Sequence, residues 1–252
     1  MPASALRYAA FLLTYLPKLR TVAINDPGVD ADKPTFAEKI INTLKLGHRF
    51  PGIRQRRRSG PLAAALAENR PGAFLQFGVY RGASINHYAG LYPDKRFYGF
   101  DSFEGFPSDG RSDWGQDFST AGALPKVRGN VSLIKGYFAD TLPLFLETFQ
   151  DEISVLDIDC DIYSSTCDVF AILGAAGRLQ PGLIISFDEL INYRGFMANE
   201  MFALFECLER ETLSIDWLAV HQNVHDVDDM LGMIRNRVIP TLTTQNPCAQ
   251  SR

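Results

Sequence analysis

From Pro61 onward the sequence alternates between helical segments and short apolar runs, and this alternation constrains the fold more than any other feature. Five apolar runs are predicted to be strands, at residues 73–77, 97–100, 131–134, 153–158 and 183–187. Helices are predicted at residues 61–69, 84–91 and around 168–179. Strands that alternate with helices form a parallel sheet that is covered by helices on both faces.

Two further apolar runs, residues 215–220 and 230–235, flank an acidic turn at residues 225–229. Strands joined by so short a turn must be antiparallel, so these runs are predicted to close the sheet as a hairpin. The predicted fold is α/β, a doubly wound, mostly parallel, Rossmann-like sheet of seven strands with a C-terminal antiparallel hairpin. Residues 61–252 are predicted to form one domain, with residues 1–60 as a helical N-terminal cap.

Composition excludes several classes of protein. Of the 252 residues, 46% are hydrophobic, which is typical of a folded domain and not of a disordered chain. The net charge of −4 argues against a dedicated nucleic-acid binder, and no apolar stretch reaches the roughly 18 residues that span a membrane. The four cysteines form no CxxC pair, so we expect a reduced, cytoplasmic protein. The apolar segment at residues 9–16 is a natural element for a homodimer.

The turn after the first predicted strand carries two glycines, Gly78 and Gly82. In an open parallel sheet the ligand binds beyond the carboxyl ends of the strands, where such a turn lets it approach the backbone. Tyr80 stands where a dinucleotide-binding motif needs its second glycine, so its side chain would block a pyrophosphate. Asp101 ends the second predicted strand, about twenty residues after the glycine turn. An acid at this position can hydrogen-bond to two ribose hydroxyls. The turn and this acid therefore favour a nucleoside without a diphosphate over NAD.

An acidic run with Asp157, Asp159 and Asp161 follows the fourth predicted strand, and the fifth strand ends in Asp188 and Glu189. If these strands are neighbours, their carboxylates converge at one edge of the sheet, and the repulsion requires protonation or a bound cation. Several carboxylate ligands favour Mg²⁺, Mn²⁺ or Ca²⁺ over zinc. The alternative is that Asp161 and the hydroxyl residues after it cap the following helix.

Five sequence blocks, taken together and in order, resemble the macrocin O-methyltransferase family: FGVYRGAS, YGFDSFEGFP, KGYFADTLP, LDIDCDIYSST and SFDE. The resemblance covers roughly residues 60–200 and implies a class I methyltransferase that uses S-adenosylmethionine. It implies that Asp101 binds the ribose hydroxyls and that residues 136–140 border the adenine. The full set of cofactor-binding residues predicted in this way is Gln76, Gly78, Tyr80, Gly82, Ser84, Asp101, Ser102, Gly136, Phe138 and Asp159.

The same resemblance maps the metal ligands of the family onto Asp159, Asp188 and Glu189, and its general base onto Asp161. Two positions depart from the family pattern. Gln76 stands where these enzymes usually carry Glu, and Glu189 stands where the characterised sugar methyltransferases carry a second Asp.

The predicted function is the transfer of a methyl group from S-adenosylmethionine to a hydroxyl of a small molecule, such as a sugar or a natural product, with help from Mg²⁺. A non-catalytic relative that keeps the fold, which Gln76 would favour, and an NAD-binding Rossmann-like protein remain as alternatives. Tyr163 is predicted to line the substrate site or to pack in the core, and Cys160 to pack. The polar segment at residues 105–128 is predicted to be a lid.

Overall fold

The computed structural model describes residues 71–108, 118–188, 190, 199–228 and 233–244. The predicted N-terminal cap, its boundary at residue 60 and the helix predicted at residues 61–69 lie outside these ranges. Glu189 and residues 109–117 of the predicted lid lie outside them as well. Across the described ranges no helix is long and apolar enough to cross a membrane.

The described residues form one sheet of seven strands with four helices between them. The strands are β1 (Ala73–Phe77), β2 (Phe97–Asp101), β3 (Val131–Lys135), β4 (Ile153–Ile158), β5 (Ile184–Asp188), β6 (Leu213–Asp228) and β7 (Met233–Thr244). The helices are α1 (Ala83–Leu91), α2 (Phe138–Thr148), α3 (Tyr163–Ala175) and α4 (Glu200–Arg210). The strand order is β3-β2-β1-β4-β5-β7-β6. Strands β1 to β5 are parallel, and β7 is antiparallel to both of its neighbours. The predicted fold class is confirmed.

Apolar side chains alternate between the two faces of the sheet, as a strand period of two requires. In β1, Phe74 packs on the face that is covered by α1, where it meets Ile85 and Tyr88. Leu75 and Phe77 pack on the opposite face with residues of α2, α3 and α4. Because helices cover both faces, the strands are buried and the ligand-binding region is left at the carboxyl ends of the parallel strands.

The terminal hairpin is correct in topology and wrong in its bounds. Strand β6 extends to Asp228, so most of the predicted acidic turn belongs to it. Strand β7 begins at Met233 and continues far past the predicted end at residue 235. Arg237 and Thr241 interrupt the apolar pattern of β7, yet both are buried, because this strand lies between β5 and β6.

The helices also depart from the prediction. Helix α3 begins at Tyr163 and ends at Ala175, a few residues earlier than the predicted segment at each end. The apolar pattern predicts neither α2 nor α4. Pro143 lies inside α2 and argues against a helix when the sequence is read alone, because proline ordinarily ends a helix or kinks it.

Candidate active site

The carboxyl ends of β1, β2 and β4 lie at one edge of the sheet, and the chain adopts rare backbone conformations just beyond them. Tyr80, Phe103 and Asp161 follow these three strands with positive φ angles of 52°, 57° and 65°. A left-handed conformation costs a residue other than glycine about 1–2 kcal/mol, and such strain clusters at functional sites. This edge of the sheet is therefore the candidate active site.

Gly78 brings the turn after β1 into contact with the loop after β4. Its φ is 94°, and a Cβ atom at this position would lie 1.8 Å from the backbone oxygen of Asp159. The Gly78 N–H donates to the Phe100 carbonyl at 2.9 Å, and the Asp159 N–H donates to the Phe77 carbonyl at 2.9 Å. Only glycine fits here, and the predicted cofactor turn lies directly against the acidic run.

The Asp101 carboxylate organises this turn through three backbone hydrogen bonds. Oδ2 accepts the N–H groups of Val79 and Tyr80, each at 2.7 Å, and Oδ1 accepts the Phe103 N–H at 2.7 Å. A carboxylate oxygen accepts two hydrogen bonds, so these contacts saturate Oδ2 and leave Oδ1 one further position. Among the described residues, these contacts leave one acceptor position on Asp101 Oδ1, and the binding of two ribose hydroxyls by Asp101 stays a prediction.

Gln76 fixes both ends of the same turn. The side chain is fully buried, and its Nε2 donates to the Gly78 carbonyl at 2.7 Å and to the Ser84 hydroxyl at 2.8 Å. Its Oε1 is buried with no hydrogen-bond partner among the described residues. An unsatisfied buried acceptor is costly, so this oxygen suits an N–H or O–H donor of a bound molecule. The turn thus fits a cofactor that carries polar donors.

Tyr80 and Gly82 complete the turn. Gly82 has a φ of 77° and forms the N-cap of α1. The half-buried Tyr80 ring lies edge-on to the Phe118 ring, with 5.5 Å between their centroids. The turn therefore contacts the second half of the segment that is predicted to be a lid.

Three other predicted cofactor residues shape the neighbouring loops. The Ser102 hydroxyl donates to a backbone carbonyl three residues further on, at 2.7 Å. The Gly136 N–H donates to the Asp101 carbonyl at 2.9 Å, which ties the loop after β3 to the end of β2. Phe138 begins α2 and is buried, with its ring edge-on to Phe77 at 5.4 Å. Phe138 thus contributes to the wall of the core behind the site.

A buried arginine that no motif predicts pairs with two of the predicted acids. Arg237 places Nη1 2.5 Å from Asp157 Oδ1 and Nη2 2.6 Å from Asp188 Oδ1. Nη1 also donates to the Ser186 hydroxyl at 2.7 Å. Burial raises the pKa of Asp157, and the positive charge of Arg237 opposes that rise. The repulsion expected between the acids is therefore partly relieved by the protein itself.

We name the five acids at this edge of the sheet the acid cluster, which comprises Asp157, Asp159, Asp161, Asp188 and Glu200. Burial raises the pKa of Asp159 well above its usual value, and the neighbouring Asp188 and Asp161 raise it further. Glu200 is 1% exposed at the start of α4, and its Oε1 accepts the Asp161 N–H at 3.1 Å. Burial, followed by the charge of Asp161, raises the pKa of Glu200 well above the usual range.

The acid cluster carries more negative potential than one guanidinium can balance, and its oxygen donors are the ligands that Mg²⁺ prefers. Asp159 and Asp188, two of the three predicted ligands, belong to it, and these residues fit a hard cation. Within the described residues no group of three or more His, Cys, Asp or Glu side chains is arranged to hold a metal ion. The third predicted ligand, Glu189, lies outside those residues, so the metal site remains a prediction.

The alternative role of Asp161 as a helix cap is wrong. Ile162 is the N-cap of α3, and no side chain there hydrogen-bonds to the first turn. Asp161 also has a positive φ, so it does not continue the extended backbone that carries Asp157 and Asp159. The backbone at Asp161 therefore leaves the direction of the strand, and the Asp161 N–H donates to Glu200.

Two neighbouring residues have structural roles. The Tyr163 hydroxyl donates to Glu206, and the Tyr163 ring stacks on Phe202 with 5.6 Å between centroids. Tyr163 therefore packs α3 against α4. Cys160 is 6% exposed, its sulfur lies 3.3 Å from the Thr166 hydroxyl, and burial raises the pKa of its thiol well above the usual value. Such a thiol packs and does not act as a nucleophile.

Sequence motifs miss two residues of the site, Arg237 and Glu200. Arg237 leaves a detectable signal, because a charged residue inside an apolar strand is rarely buried unless it is paired. Glu200 leaves none, since an acid in the first turn of a helix is ordinarily accounted for by the helix dipole.

The family model for macrocin-O-methyltransferase (TylF) matches residues 125–223, a segment that contains the acid cluster and strands β3 to β5. This match confirms the resemblance predicted from the sequence blocks. Residues 125–223 of this chain are thus similar to a methyltransferase family. The turn after β1 lies before the matched segment, so the match does not include Gln76 or Gly78. None of the curated protein sequences matches this chain.

Solved structures of methyltransferases are similar to this chain over most of its length. The calicheamicin methyltransferase CalS11 is 21% identical, with a TM-score of 0.49 over 94% of this chain and 92% of that chain. The O-methyltransferase NovP is 18% identical, with a TM-score of 0.48 over 96% and 100%. An O-methyltransferase from Bacillus cereus, in complex with SAH, is 14% identical, with a TM-score of 0.47 over 79% and 88%. Identities this low transfer no residue's role to this chain.

Proposed function

We propose that this protein is a methyltransferase that transfers the methyl group of S-adenosylmethionine to a hydroxyl oxygen of a small molecule, a sugar or a natural product, with the help of a divalent cation. The observation that carries the proposal is the contact between Gly78 and Asp159. It joins the predicted cofactor turn to the acid cluster, so a methyl donor and an ionisable acceptor would meet at one edge of the sheet. The matched family is named for an O-methyltransferase, which supports a hydroxyl as the acceptor.

The turn after β1 holds the cofactor in this proposal. Gly78 and Gly82 allow it to approach the backbone, and Gln76 Oε1 accepts a hydrogen bond from one of its donors. The free acceptor position on Asp101 Oδ1 takes a ribose hydroxyl, while Asp101 Oδ2 holds the turn in place. S-adenosylmethionine, when bound, supplies an activated methyl group. The other predicted contacts, from Tyr80, Ser84, Ser102, Gly136 and Phe138, position the turn and the adenine-side loop.

The acid cluster prepares the acceptor. Asp159 and Asp188, with Glu189, would hold a divalent cation, and a bound cation would supply the Lewis acidity that makes a nearby hydroxyl easier to deprotonate. Asp161 then accepts the hydroxyl proton as the acceptor oxygen takes up the methyl group. Its left-handed backbone turns it away from the strand, and its N–H is held by Glu200, so its position is fixed before the substrate binds.

Calorimetry tests the cofactor half of the proposal. We expect S-adenosylmethionine and S-adenosylhomocysteine to bind, and NAD not to bind, because Tyr80 occupies the space that a pyrophosphate needs. Absence of binding by both sulfur compounds at millimolar concentration would refute the proposal. Binding without turnover across a broad panel of hydroxyl acceptors would instead support the non-catalytic alternative.

Paired substitutions test the cation half. Asp159→Asn and Asp188→Asn should each weaken Mn²⁺ binding at least about tenfold, and excess Mg²⁺ should partly restore turnover. Asp151→Asn is the matched control, since this acid pairs with Arg96 at the surface, away from the cluster. If neither cluster variant alters Mn²⁺ affinity, these acids do not bind a cation.

A further inference from the structure

Arg237 occupies the middle of β7, where the sheet brings it next to β5. It is the register partner of Asp188 in β5, and its side chain is 3% exposed. The Asp157 side chain in β4, one strand further away, is completely buried. A cation is thus enclosed between three strands, directly beneath the carboxyl edge that carries the acid cluster.

The guanidinium engages three acceptors on two different strands. Nη1 lies 2.5 Å from Asp157 Oδ1 and 2.7 Å from Ser186 Oγ, while Nη2 lies 2.6 Å from Asp188 Oδ1. A planar fork with two amino groups can satisfy this arrangement, whereas the single ammonium of a lysine cannot bridge both acids in the same way. The Arg237 guanidinium also lies 5.8 Å from the centre of the Tyr88 ring, which closes the space behind it.

Stability alone accounts poorly for such an arrangement. The desolvation of a buried ion pair offsets much of the attraction between its charges, and apolar residues of similar volume often stabilise a protein as well or better. A buried triad at a sheet edge lined with functional acids therefore points to a role in the site.

We propose that Arg237 is a positioning residue that holds the Asp188 carboxylate in the orientation required to bind a divalent cation. The inference rests on the proposed function, in which Asp188 is a ligand. The contact that orients Asp188 is the ion pair between its Oδ1 and Nη2 of Arg237. Asp157, whose Oδ1 is engaged by the same guanidinium, is the counter-anion of Arg237 and not a ligand.

Positioning and simple charge repulsion predict opposite outcomes when Arg237 is replaced. A guanidinium next to a ligand repels a divalent cation, so repulsion alone predicts that its removal tightens cation binding. Positioning predicts that removal weakens binding, because Asp188 then loses the charged partner that orients its carboxylate. Outer ligand partners of this kind are typically worth about 10- to 100-fold in metal affinity.

The test is a titration of the cofactor-free protein with Mn²⁺, followed by electron paramagnetic resonance of the free ion. We expect Arg237→Lys and Arg237→Met each to weaken Mn²⁺ binding about tenfold or more. Affinity for S-adenosylhomocysteine should be unchanged, which shows that the variants are folded. Arg178→Lys is the matched control, because Arg178 is a half-buried arginine that donates to the Phe149 and Asp151 carbonyls. It should leave Mn²⁺ affinity unchanged.

Equal or tighter Mn²⁺ binding by the Arg237 variants overturns the inference. If neither variant folds, Ser186→Ala replaces them, because it removes one hydrogen bond of the guanidinium and no charge. Ser186→Ala should weaken Mn²⁺ binding two- to three-fold, about the effect of one modest hydrogen bond, and an unchanged affinity overturns the inference. A wild-type protein that binds no Mn²⁺ refutes the cation part of the proposed function itself, a result distinct from any difference between variants.

Discussion

The two halves of the candidate site use acidic side chains in opposite ways. After β1 and β2, one carboxylate, that of Asp101, accepts three backbone N–H groups and has no acidic neighbour in the turn. After β4 and β5, five acids form the acid cluster, and two of them, Asp157 and Asp188, pair with the guanidinium of Arg237. In the proposed function Asp101 holds the turn and binds a neutral hydroxyl, and backbone N–H groups are enough to stabilise its carboxylate. The acid cluster is proposed to take up a proton or a cation, and an excess of negative charge favours both.

Substitution of Asp161 should give the largest effect on catalysis. Asp161→Asn removes the proposed general base and should lower turnover about 10²- to 10⁴-fold, the usual contribution of such a group. Affinities for Mn²⁺ and S-adenosylhomocysteine should be unchanged, since Asp161 is not among the predicted ligands. Steady-state kinetics with calorimetry on the same preparation measures all three quantities.

A different result for this variant would change the roles that are assigned to the acids of the cluster. If excess Mg²⁺ restores the turnover of Asp161→Asn, then Asp161 is a ligand, and the base has to be sought among the other acids of the cluster. Asp94→Asn is the control, because Asp94 is an exposed acid in the turn before β2 and should leave turnover unchanged.

Substitution of Asp101 should give the largest effect on stability. Asp101→Ala leaves three backbone N–H groups without their acceptor and should lower the free energy of unfolding by about 2–4 kcal/mol. Affinity for S-adenosylhomocysteine should fall about 10- to 100-fold with the loss of one charged hydrogen bond. Denaturant titration and calorimetry measure the two effects.

Asp151→Asn serves as the control for Asp101, because the Asp151 carboxylate pairs with the exposed Arg96. A surface ion pair of this kind contributes about 0–1 kcal/mol. If Asp101→Ala is as mild as the control, the backbone contacts of Asp101 do not organise the turn, and the contrast between the two halves fails.

Gln76→Glu tests whether the first half of the site tolerates additional negative charge. A glutamate here would place a carboxylate against the Gly78 carbonyl, which now accepts the Gln76 amide at 2.7 Å. We expect a loss of about 1–3 kcal/mol in the free energy of unfolding, larger at pH 8 than at pH 5, because a buried Glu loses its donor when it ionises. Gln180→Glu is the matched control, since Gln180 donates to the Gly177 carbonyl at the surface. Equal losses in the two variants would mean that the burial of Gln76 is unimportant.

Much of this architecture could be predicted because its signals are local. Strands β1 and β4 are mostly apolar, as buried parallel strands are, and their predicted bounds agree with the structure. The convergence of Asp157, Asp159 and Asp188 follows from strand order, because parallel strands end at the same edge of the sheet.

The remaining features depend on contacts between distant parts of the chain. Arg237 is buried because Asp157 and Ser186, 80 and 51 residues away, accept its hydrogen bonds, and no local pattern contains them. Gly78 reads as an ordinary turn glycine until the Asp159 backbone is placed against it. Glu200 resembles a surface acid at a helix start until α4 packs on the site.

Glu200→Gln gives the smallest effect and tests the acid half through pH. Burial and Asp161 raise the pKa of Glu200 in the folded protein, so the folded state keeps this proton at pH values where the unfolded chain releases it. The stabilisation by Glu200 is therefore complete below the unfolded pKa, near 4.3, and is lost as the pH rises through the folded pKa. Glutamine cannot ionise, so the variant should gain stability relative to wild type between pH 5 and pH 8.

The expected gain of Glu200→Gln is on the order of 1 kcal/mol, measured by denaturant unfolding in EDTA so that no bound cation compensates the cluster. Glu209→Gln on the exposed side of the same helix is the matched control, and the difference between the two variants isolates burial from helix propensity. Glutamine can still accept the Asp161 N–H through its carbonyl oxygen, so a change with pH reports charge and not the loss of that bond. A difference that stays constant from pH 5 to pH 8 would show that Glu200 is ionised throughout, and the acid cluster would then carry its excess charge without holding a proton on this residue.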